Sequence, residues 1–416
     1  MKKKVLSLLM IAAMTMVSLG ACGSSSETAE TTTETTAETT AETTTETTTE
    51  TATETAEEVS VEENETSVSG VVYDENDPDG THIVVDHAGD EVEVPNTINR
   101  VVIGSFYPLA SVTAEYLGSA DMIVGIHPVS MSAAENGLLG QVYPEILNAS
   151  TSFIDGSEVN IEELLMLDPD IVIGVGQQQA QAIRDAGIPA LTTSASAWGY
   201  DMFETYDNWV DLLDQVFGGS PVAAKVQEES TASYEYVQSI VSEIPEDEQA
   251  KVLVLFQYSD AAMIASGVNF FGEKWCEYVN AYNVASEVED GVQVQISMEQ
   301  VYEWNPDVII ITNFCGTQPE DLYNNAIGND DWSTVSAVQN ERVYKMPLGL
   351  YRSYTPGGDT PVTVKWLAQT VYPELFEDMD IREIARDYYK DLLGYEFTDD
   401  QLDMMFNPSR AAADGL

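Results

Sequence analysis

The stretch NIEELLMLDPDIVIG, residues 160–174, is repeated in outline by SMEQVYEWNPDVIII, residues 297–311. At a constant offset of 137 positions the two stretches share a glutamate (Glu162 and Glu299), a proline and an aspartate. Each begins with a residue suited to cap a helix and ends in an apolar, β-branched run. The pattern predicts a short helix, a break at the proline and a buried strand, used twice.

Most of the repeated residues have a structural explanation. Asn160 and Ser297 are the predicted N-caps, and a Glu or Gln three positions later completes a capping box in each copy. The proline ends each helix, because the residue before a proline avoids the α region. Glu162 and Glu299 lie beside the box. The helix dipole favours an acidic residue there by roughly 0.3–1 kcal/mol, which would explain both glutamates by helix stability alone. The alternative explanation is that the two glutamates have a binding role.

Short apolar runs alternate with helical patterns on both sides of the repeat. The runs VVIGS, MIVGI, DIVIGVG and IPALTT precede residue 200, and KVLVLFQY, DVIIIT and RVYKMP follow residue 250. This alternation predicts mostly parallel sheets covered by helices. Between the two blocks, Ser220 and Pro221 open the longest predicted helix, residues 220–245. We therefore predict two Rossmann-like β/α lobes, residues 70–219 and 246–416, joined by one long helix, with a ligand cleft between them.

The first residues are typical of an exported protein. Residues 1–21 combine three lysines with a short apolar stretch and small residues, as in a signal peptide. The ending LGAC resembles the bacterial lipobox and implies cleavage before Cys22 and lipid on its sulfur. Ordinary secretion that leaves Cys22 as a thiol is the alternative. Residues 22–69 are mostly Thr and Glu, which predicts a disordered tether, glycosylated or not.

The composition and the motifs that the sequence lacks argue against several classes of function. A net charge of −55, from 71 acidic and 16 basic residues, argues against a nucleic-acid partner. An exported enzyme is disfavoured because GxSxG, HExxH and a glycine-rich phosphate loop are missing from the sequence. Binding of bare Zn or Mn is disfavoured because the chain has only three histidines. Cys276 and Cys315 are interpreted as small buried residues, with a disulfide left open.

Candidate ligand contacts follow from the rule that ligands bind beyond the carboxyl ends of parallel strands. The residues after the predicted strands are mostly aromatic. They are Tyr107, His127, Trp198, Tyr258, Phe314, Tyr351, Arg352 and Tyr354. We expect Arg352 on a rim of tyrosines, where it could pair with an anionic ligand group or form a surface salt bridge. His127 could ligate a metal or serve as a hydrogen-bonded structural residue.

Five segments in order resemble the ABC-transporter substrate-binding proteins with one rigid bridging helix, which serve iron-siderophore, haem and cobalamin importers. They are VVDHAGDEVEVPNTINRVV, NIEELLMLDPDIVI, SMEQVYEWNPDVIII, WSTVSAVQNERVYKMP and WLAQTVYPELF. The resemblance implies a monomer on the outer face of the cytoplasmic membrane that holds no cofactor. It would deliver a metal chelate or tetrapyrrole to a permease and its ATPase.

The resemblance also implies a role for Glu162 and Glu299, which match the positions that dock onto permease arginines. Two separated carboxylates could orient a two-lobed protein on a two-fold channel. A surface binding or sensor lipoprotein that does not transport remains an alternative.

Overall fold

The computed structural model describes residues 70–156, 158–288 and 291–414. The predicted signal peptide, Cys22 and the tether lie outside the described residues. Within those ranges, no helix combines the length and hydrophobicity needed to cross a bilayer.

The strands are β1 (Val71–Val72), β2 (Thr81–Val85), β3 (Glu91–Pro95), β4 (Thr97–Ile98), β5 (Val101–Ile103), β6 (Ile123–Gly125), β7 (Ile154–Asp155), β8 (Glu158–Val159), β9 (Ile171–Val175), β10 (Ala190–Thr192), β11 (Lys251–Tyr258), β12 (Met263–Ser266), β13 (Tyr282–Asn283), β14 (Gln293–Gln295), β15 (Val308–Ile311) and β16 (Val343–Lys345). The α-helices are α1 (Leu109–Leu117), α2 (Pro128–Asn136), α3 (Leu139–Val142), α4 (Ile161–Met166), α5 (Gln177–Asp185), α6 (Met202–Phe217), α7 (Pro221–Val241), α8 (Phe271–Tyr278), α9 (Met298–Trp304), α10 (Pro319–Tyr323), α11 (Ser336–Gln339), α12 (Thr360–Val371), α13 (Ile381–Leu393) and α14 (Asp399–Phe406). Short 3-10 helices occupy Pro144–Asn148, Ser196–Trp198, Glu246–Glu248, Val284–Glu287, Pro373–Leu375 and Arg410–Ala413.

Two sheets form the frame. The N-terminal lobe has a parallel sheet in the order β10-β9-β5-β6. The C-terminal lobe has a mixed sheet in the order β14-β12-β11-β15-β16, in which β11, β15 and β16 are parallel. Strand β12 runs antiparallel to both β11 and β14. The predicted α/β architecture is confirmed, with an antiparallel edge that the sequence patterns did not indicate.

Helix α7 joins the two sheets in sequence. Its predicted cap is confirmed, since the hydroxyl of Ser220 accepts a hydrogen bond from the backbone N–H of Ala223 and Pro221 is the first helical residue. The helix packs against α1 and α6 of the N-terminal lobe and against α12 and α13 of the C-terminal lobe. One apolar core runs through this junction and contains residues of both sheets as well as Val226 and Val237 of α7. The lobes are therefore joined by packed side chains and not by a loose linker.

The repeat is reproduced in backbone geometry. At matched positions, Asp168 (φ 46°) and Asn305 (φ 42°) adopt the left-handed conformation just before the prolines. This conformation is tolerated best, among non-glycine residues, by Asp and Asn.

The caps of the two short helices are related but differ in detail. A complete capping box links Ser297 and Gln300 at the start of α9. At the start of α4, one oxygen of Asn160 accepts hydrogen bonds from the backbone N–H groups of both Glu162 and Glu163. Both predicted N-caps are confirmed, but the capping box predicted at α4 does not form, because the backbone N–H of Asn160 donates to the carbonyl of Phe153 (2.8 Å).

The shared aspartates fasten each unit to the neighbouring strand. Asp170 accepts hydrogen bonds from the backbone N–H groups of Asn99 (2.7 Å) and Arg100 (2.9 Å), just before β5. Asp307 accepts one from the N–H of Lys251 (3.0 Å), the first residue of β11. The aspartate of the repeat is therefore structural in both lobes.

Candidate ligand-binding cleft

A cleft of about 420 Å³ lies between the ends of strands from the two lobes. This volume is within the roughly 300–1,000 Å³ that is usual for small-molecule sites. Its described lining residues are Ser105, Phe106, Tyr107, Pro108, Ala195, Tyr200, Trp209, Phe256, Gln257, Phe270, Phe271, Gln293, Phe314, Tyr354 and Thr355. Nine of these fifteen are aromatic and none of the fifteen is charged, so the walls favour a ligand with broad apolar faces.

Tyr200 brings the N-terminal wall against the C-terminal wall. Its backbone has a φ of 59° and follows Gly199, which is also left-handed. A bulky residue rarely adopts this conformation, and such strain concentrates at functional positions. The turn places the Tyr200 ring 5.0 Å from Phe270 and 5.1 Å from Phe271, measured between ring centroids. An aromatic contact thus crosses the cleft between the lobes.

The C-terminal wall is a cluster of mutually packed rings. Phe256 stacks on Phe314 at 5.2 Å. The Tyr354 ring lies within 6.0 Å of both and also contacts Phe270 and Phe271. Aromatic pairs at these distances contribute about 0.5–1.5 kcal/mol beyond the area they bury. This wall is therefore preformed and rigid.

Polar contacts at the edge of the C-terminal wall hold Tyr354 in place. Its hydroxyl hydrogen-bonds the hydroxyl of Ser266 (2.8 Å) and accepts from the backbone N–H of Gly272 (3.1 Å). The indole N–H of Trp275 donates to the Tyr354 carbonyl. Burial raises the pKa of Tyr354 above its ordinary value, so the phenol stays neutral. Tyr354 thus presents a ring to the cleft and keeps its hydroxyl in the wall.

A buried lysine orders the loop that carries Phe314. The ammonium of Lys345 donates hydrogen bonds to the carbonyls of Thr312 (2.8 Å), Cys315 (2.6 Å) and Thr317 (2.8 Å). Burial lowers the pKa of Lys345 to about 8, so the group is still mostly protonated at neutral pH. The three donors of one ammonium therefore match the three carbonyls of one loop.

The structure brings only some of the predicted ligand contacts together. Tyr107, Phe314 and Tyr354 line the cleft. His127 lies outside the lining, with its ring 4.5 Å from that of Tyr107, and its Nδ1 accepts a hydrogen bond from the backbone N–H of Val129. Burial lowers the pKa of His127 to about 4. A neutral, capping imidazole fits the structural alternative.

Trp198 and Tyr258 also lie outside the cleft lining. The Trp198 ring meets the ring of His87 edge-on at 4.8 Å. The Tyr258 hydroxyl binds Asp330 and accepts from the indole N–H of Trp332 within a separate core of the C-terminal lobe.

The expectation for Arg352 was wrong, because its side chain is fully buried and not on a rim. Its guanidinium donates to the carbonyls of Ala412 (3.0 Å) and Asp414 (3.1 Å) and to the hydroxyl of the neighbouring Tyr351 (3.3 Å). It also lies 5.3 Å from the centroid of the Phe314 ring. Arg352 and Tyr351 therefore tie the C-terminal segment to the back of the aromatic wall.

Phe106, which directly precedes Tyr107 after the first predicted strand of this lobe, also lines the cleft. Sequence reasoning missed five other aromatic residues of the cleft, which are Tyr200 and Trp209 of the N-terminal lobe and Phe256, Phe270 and Phe271 of the C-terminal lobe. The adjacent pair Phe270–Phe271 follows β12, which the patterns did not indicate as a strand. If β12 had been predicted as a strand, Phe270 and Phe271 would have been candidate ligand contacts, because they follow its carboxyl end.

Glu162 and Glu299 are both solvent-exposed at the starts of α4 and α9. In the described ranges neither carboxylate forms an ion pair. Leu164 and Val301, two positions later, are fully buried and fix how each helix sits on its lobe. The two carboxylates are therefore available at equivalent places in the two lobes.

The cysteines and histidines have structural surroundings. Cys276 and Cys315 are both free thiols, the first buried and the second half-buried. His82 and His87 hydrogen-bond backbone carbonyls of α6. Among the described residues, no group of three His, Cys, Asp or Glu side chains is arranged to hold a metal ion.

Two β/α lobes, one connecting helix and a cleft at the strand ends are the architecture expected of an ABC-transporter substrate-binding protein. Residues 109–348 match the periplasmic binding protein family, and the chain belongs to that family. Its members bind substrates for transport and are not enzymes.

Three solved or curated proteins illustrate the relationship. A periplasmic solute-binding protein of Veillonella parvula is 30% identical, with a TM-score of 0.70, covering 80% of this chain and 98% of that one. The molybdate-binding protein MolA of Haemophilus influenzae is 24% identical over 336 residues, 74% of this chain and 90% of MolA. Its molybdate-bound structure has a TM-score of 0.63 at 23% identity, covering 76% and 99%. Helicobacter pylori CeuE, solved as a Ni–His complex, has a TM-score of 0.58 at 22% identity, covering 78% and 98%.

Proposed function

We propose that this protein captures a metal chelate or tetrapyrrole, such as a ferric siderophore, haem or a corrinoid, and delivers it to an ABC import permease with its ATPase. The observation that supports this ligand class is the aromatic cleft, whose described lining contains no charged side chain. Flat conjugated ligands and catecholate chelates gain most from such walls, through ring stacking and apolar burial.

A small oxyanion is the contrasting ligand, because MolA binds molybdate. Tight binding of an anion usually relies on positive charge or converging N–H donors. The fully buried Arg352 already binds two backbone carbonyls, and Lys345 binds three. The geometry therefore favours the larger, apolar ligand class over a free oxyanion.

A thermal-shift panel tests the ligand class. It compares haem, a corrinoid and a ferric catecholate with molybdate, Zn²⁺ and Mn²⁺. A ligand at 100 times its Kd should stabilise the folded protein by about 2.7 kcal/mol. We expect stabilisation by at least one chelate or tetrapyrrole. Stabilisation by molybdate or a bare metal ion, with none from the chelates, would overturn the proposal.

Delivery requires docking, which we assign to Glu162 and Glu299. Their exposed carboxylates, one on each lobe, match a permease that presents arginines on two related surfaces. The double variant Glu162→Arg/Glu299→Arg should abolish uptake and leave ligand affinity unchanged. A parallel loss of ligand affinity would show that the two glutamates are structural.

The protein would act at the outer face of the cytoplasmic membrane, tethered through a lipid on Cys22. The N-terminal pattern of basic, apolar and small residues before Cys22 supports this placement. Metabolic labelling with a fatty acid should mark the wild-type protein and not the Cys22→Ser variant. Equal labelling of the two would contradict lipid attachment at this residue.

A further inference from the structure

The two helices that carry the docking glutamates also expose apolar side chains. Leu165 and Met166 of α4 are 48% and 69% exposed, and Tyr302 of α9 is 43% exposed. In the described ranges eleven large hydrophobic side chains are exposed, and three of them lie on these two short helices. The offset of 137 that aligns Glu162 with Glu299 also aligns Leu165 with Tyr302. Such coincidence in two lobes points to a shared use.

Helical geometry places each apolar side chain beside its carboxylate. Leu165 follows Glu162 by three residues, and Tyr302 follows Glu299 by three. Residues three apart on a helix are neighbours on one face, with Cβ atoms about 5–6 Å apart. The intervening Leu164 and Val301 are buried, so the outward direction of each pair is fixed by packing.

Tyr302 is held in place while its ring stays exposed. Its hydroxyl donates a hydrogen bond to the carbonyl of Asp331 at 2.7 Å. A tethered tyrosine loses little further conformational freedom on binding, which is a property of residues that dominate interfaces. On α4, the flexible Met166 beside Leu165 provides an adaptable apolar surface.

We propose that Leu165 and Met166 on one lobe, and Tyr302 on the other, are the apolar anchors that hold this protein on its permease. This inference rests on the proposed function and extends it from the two glutamates to the residues beside them. The repeated pairing of one exposed carboxylate with one exposed apolar side chain fits a two-fold related partner surface. Each half of that surface would present an arginine next to an apolar socket.

The carboxylates and the anchors should affect different kinetic steps. Exposed charges steer the encounter and are screened by salt, so they act mainly on the association rate. Apolar side chains that become buried at an interface act mainly on the dissociation rate. The charged and apolar members of each pair are therefore separable by experiment.

The test measures binding of the ligand-loaded protein to its cognate permease–ATPase complex in nanodiscs, by surface plasmon resonance at several salt concentrations. The anchor variants are Leu165→Ser/Met166→Ser and Tyr302→Ser. Each should raise the dissociation rate by roughly tenfold, with the association rate and its salt dependence unchanged. Tyr302→Phe keeps the ring and should stay within about threefold of wild type.

Matched controls carry the same changes at places of equal exposure. Leu375→Ser and Tyr236→Ser alter a leucine and a tyrosine that are 42% and 44% exposed and lie on other helices. They should dissociate like wild type, and thermal shift should show that every variant is folded. If the anchor variants dissociate like the controls and Glu162→Gln/Glu299→Gln still associates more slowly, only this inference would be overturned. Failure of the wild-type protein to bind the complex would overturn both this inference and the proposed function.

Discussion

The two lobes share a frame and differ in what they build on it. In both, a short capped helix ends at a left-handed residue before a proline, and an aspartate binds the start of the neighbouring strand. The cleft walls are unlike. The C-terminal wall is a packed cluster of rings, whereas the N-terminal wall reaches across with Tyr200 on a strained turn. The frame therefore positions strand ends, and residues beyond the strands determine the cleft surface.

The largest expected effect is a loss of stability, and it should differ between the two aspartates of the shared frame. Asp170 accepts two backbone hydrogen bonds and Asp307 accepts one. We expect Asp170→Ala to lower the free energy of unfolding by about 2–3 kcal/mol and Asp307→Ala by about 1–1.5 kcal/mol. Urea denaturation measures both. The Asn variants keep an acceptor oxygen and should recover part of each loss, and a larger loss at Asp307 would contradict the comparison.

A second variant targets the loop that supports only the C-terminal wall. Lys345→Met leaves three loop carbonyls without their donor. It should lower the free energy of unfolding by about 2 kcal/mol and weaken ligand binding, because Phe314 lies on this loop. The control is Lys274→Met, which removes a surface ion pair with Glu277 and should cost less than about 1 kcal/mol. Similar losses in the two variants would show that the buried ammonium does not order the loop.

A third prediction concerns pH and the junction between the lobes. Glu115 of α1 is buried, and its carboxyl oxygens accept no hydrogen bond from a side chain among the described residues. Burial and the nearby charge of Asp359 raise the pKa of Glu115 well above its ordinary value. The folded state therefore keeps a proton that the unfolded state releases. The contribution of protonated Glu115 to the stability of the folded protein is complete below the ordinary carboxyl pKa and is lost as the pH rises toward the raised pKa.

Glu115→Gln should remove this pH dependence. The stability of wild type should fall by at most about 1.4 kcal/mol per pH unit above pH 5, and the variant should show a flatter profile. Thermal unfolding from pH 5 to pH 8 measures the difference. Glu135→Gln, at an exposed acid of α2, should follow the wild-type profile. A variant as pH-sensitive as wild type would show that Glu115 is ionised in the folded protein.

The frame could be predicted from the sequence because its determinants are local. The caps, the prolines and the β-branched runs of the repeat each act within a few residues. Their order along the chain therefore predicts two lobes and a joining helix. The mixed edge of the C-terminal sheet was not predicted, because β12 is four residues long and its sequence, MIAS, has no strong strand pattern.

The cleft was predicted only in part because its remaining determinants are not local. Arg352 is occupied by carbonyls about 60 residues away in the sequence, a contact that no spacing rule reveals. Tyr200 reaches the cleft through two consecutive left-handed residues, whereas Trp198, two positions earlier, lies outside it. Which aromatic residue after a strand faces the cleft depends on the turn that follows.

The most direct test of the central claim, that this aromatic cleft binds the ligand, is isothermal titration calorimetry with the chelate or tetrapyrrole that gives the largest thermal shift. Tyr200→Ala and Phe314→Ala alter opposite walls, and Trp198→Ala alters a neighbouring ring outside the cleft. We expect each wall variant to raise the Kd by roughly tenfold or more, and Trp198→Ala to leave it unchanged. Loss of affinity in Trp198→Ala, with wild-type affinity in both wall variants, would place the ligand elsewhere and contradict the claim.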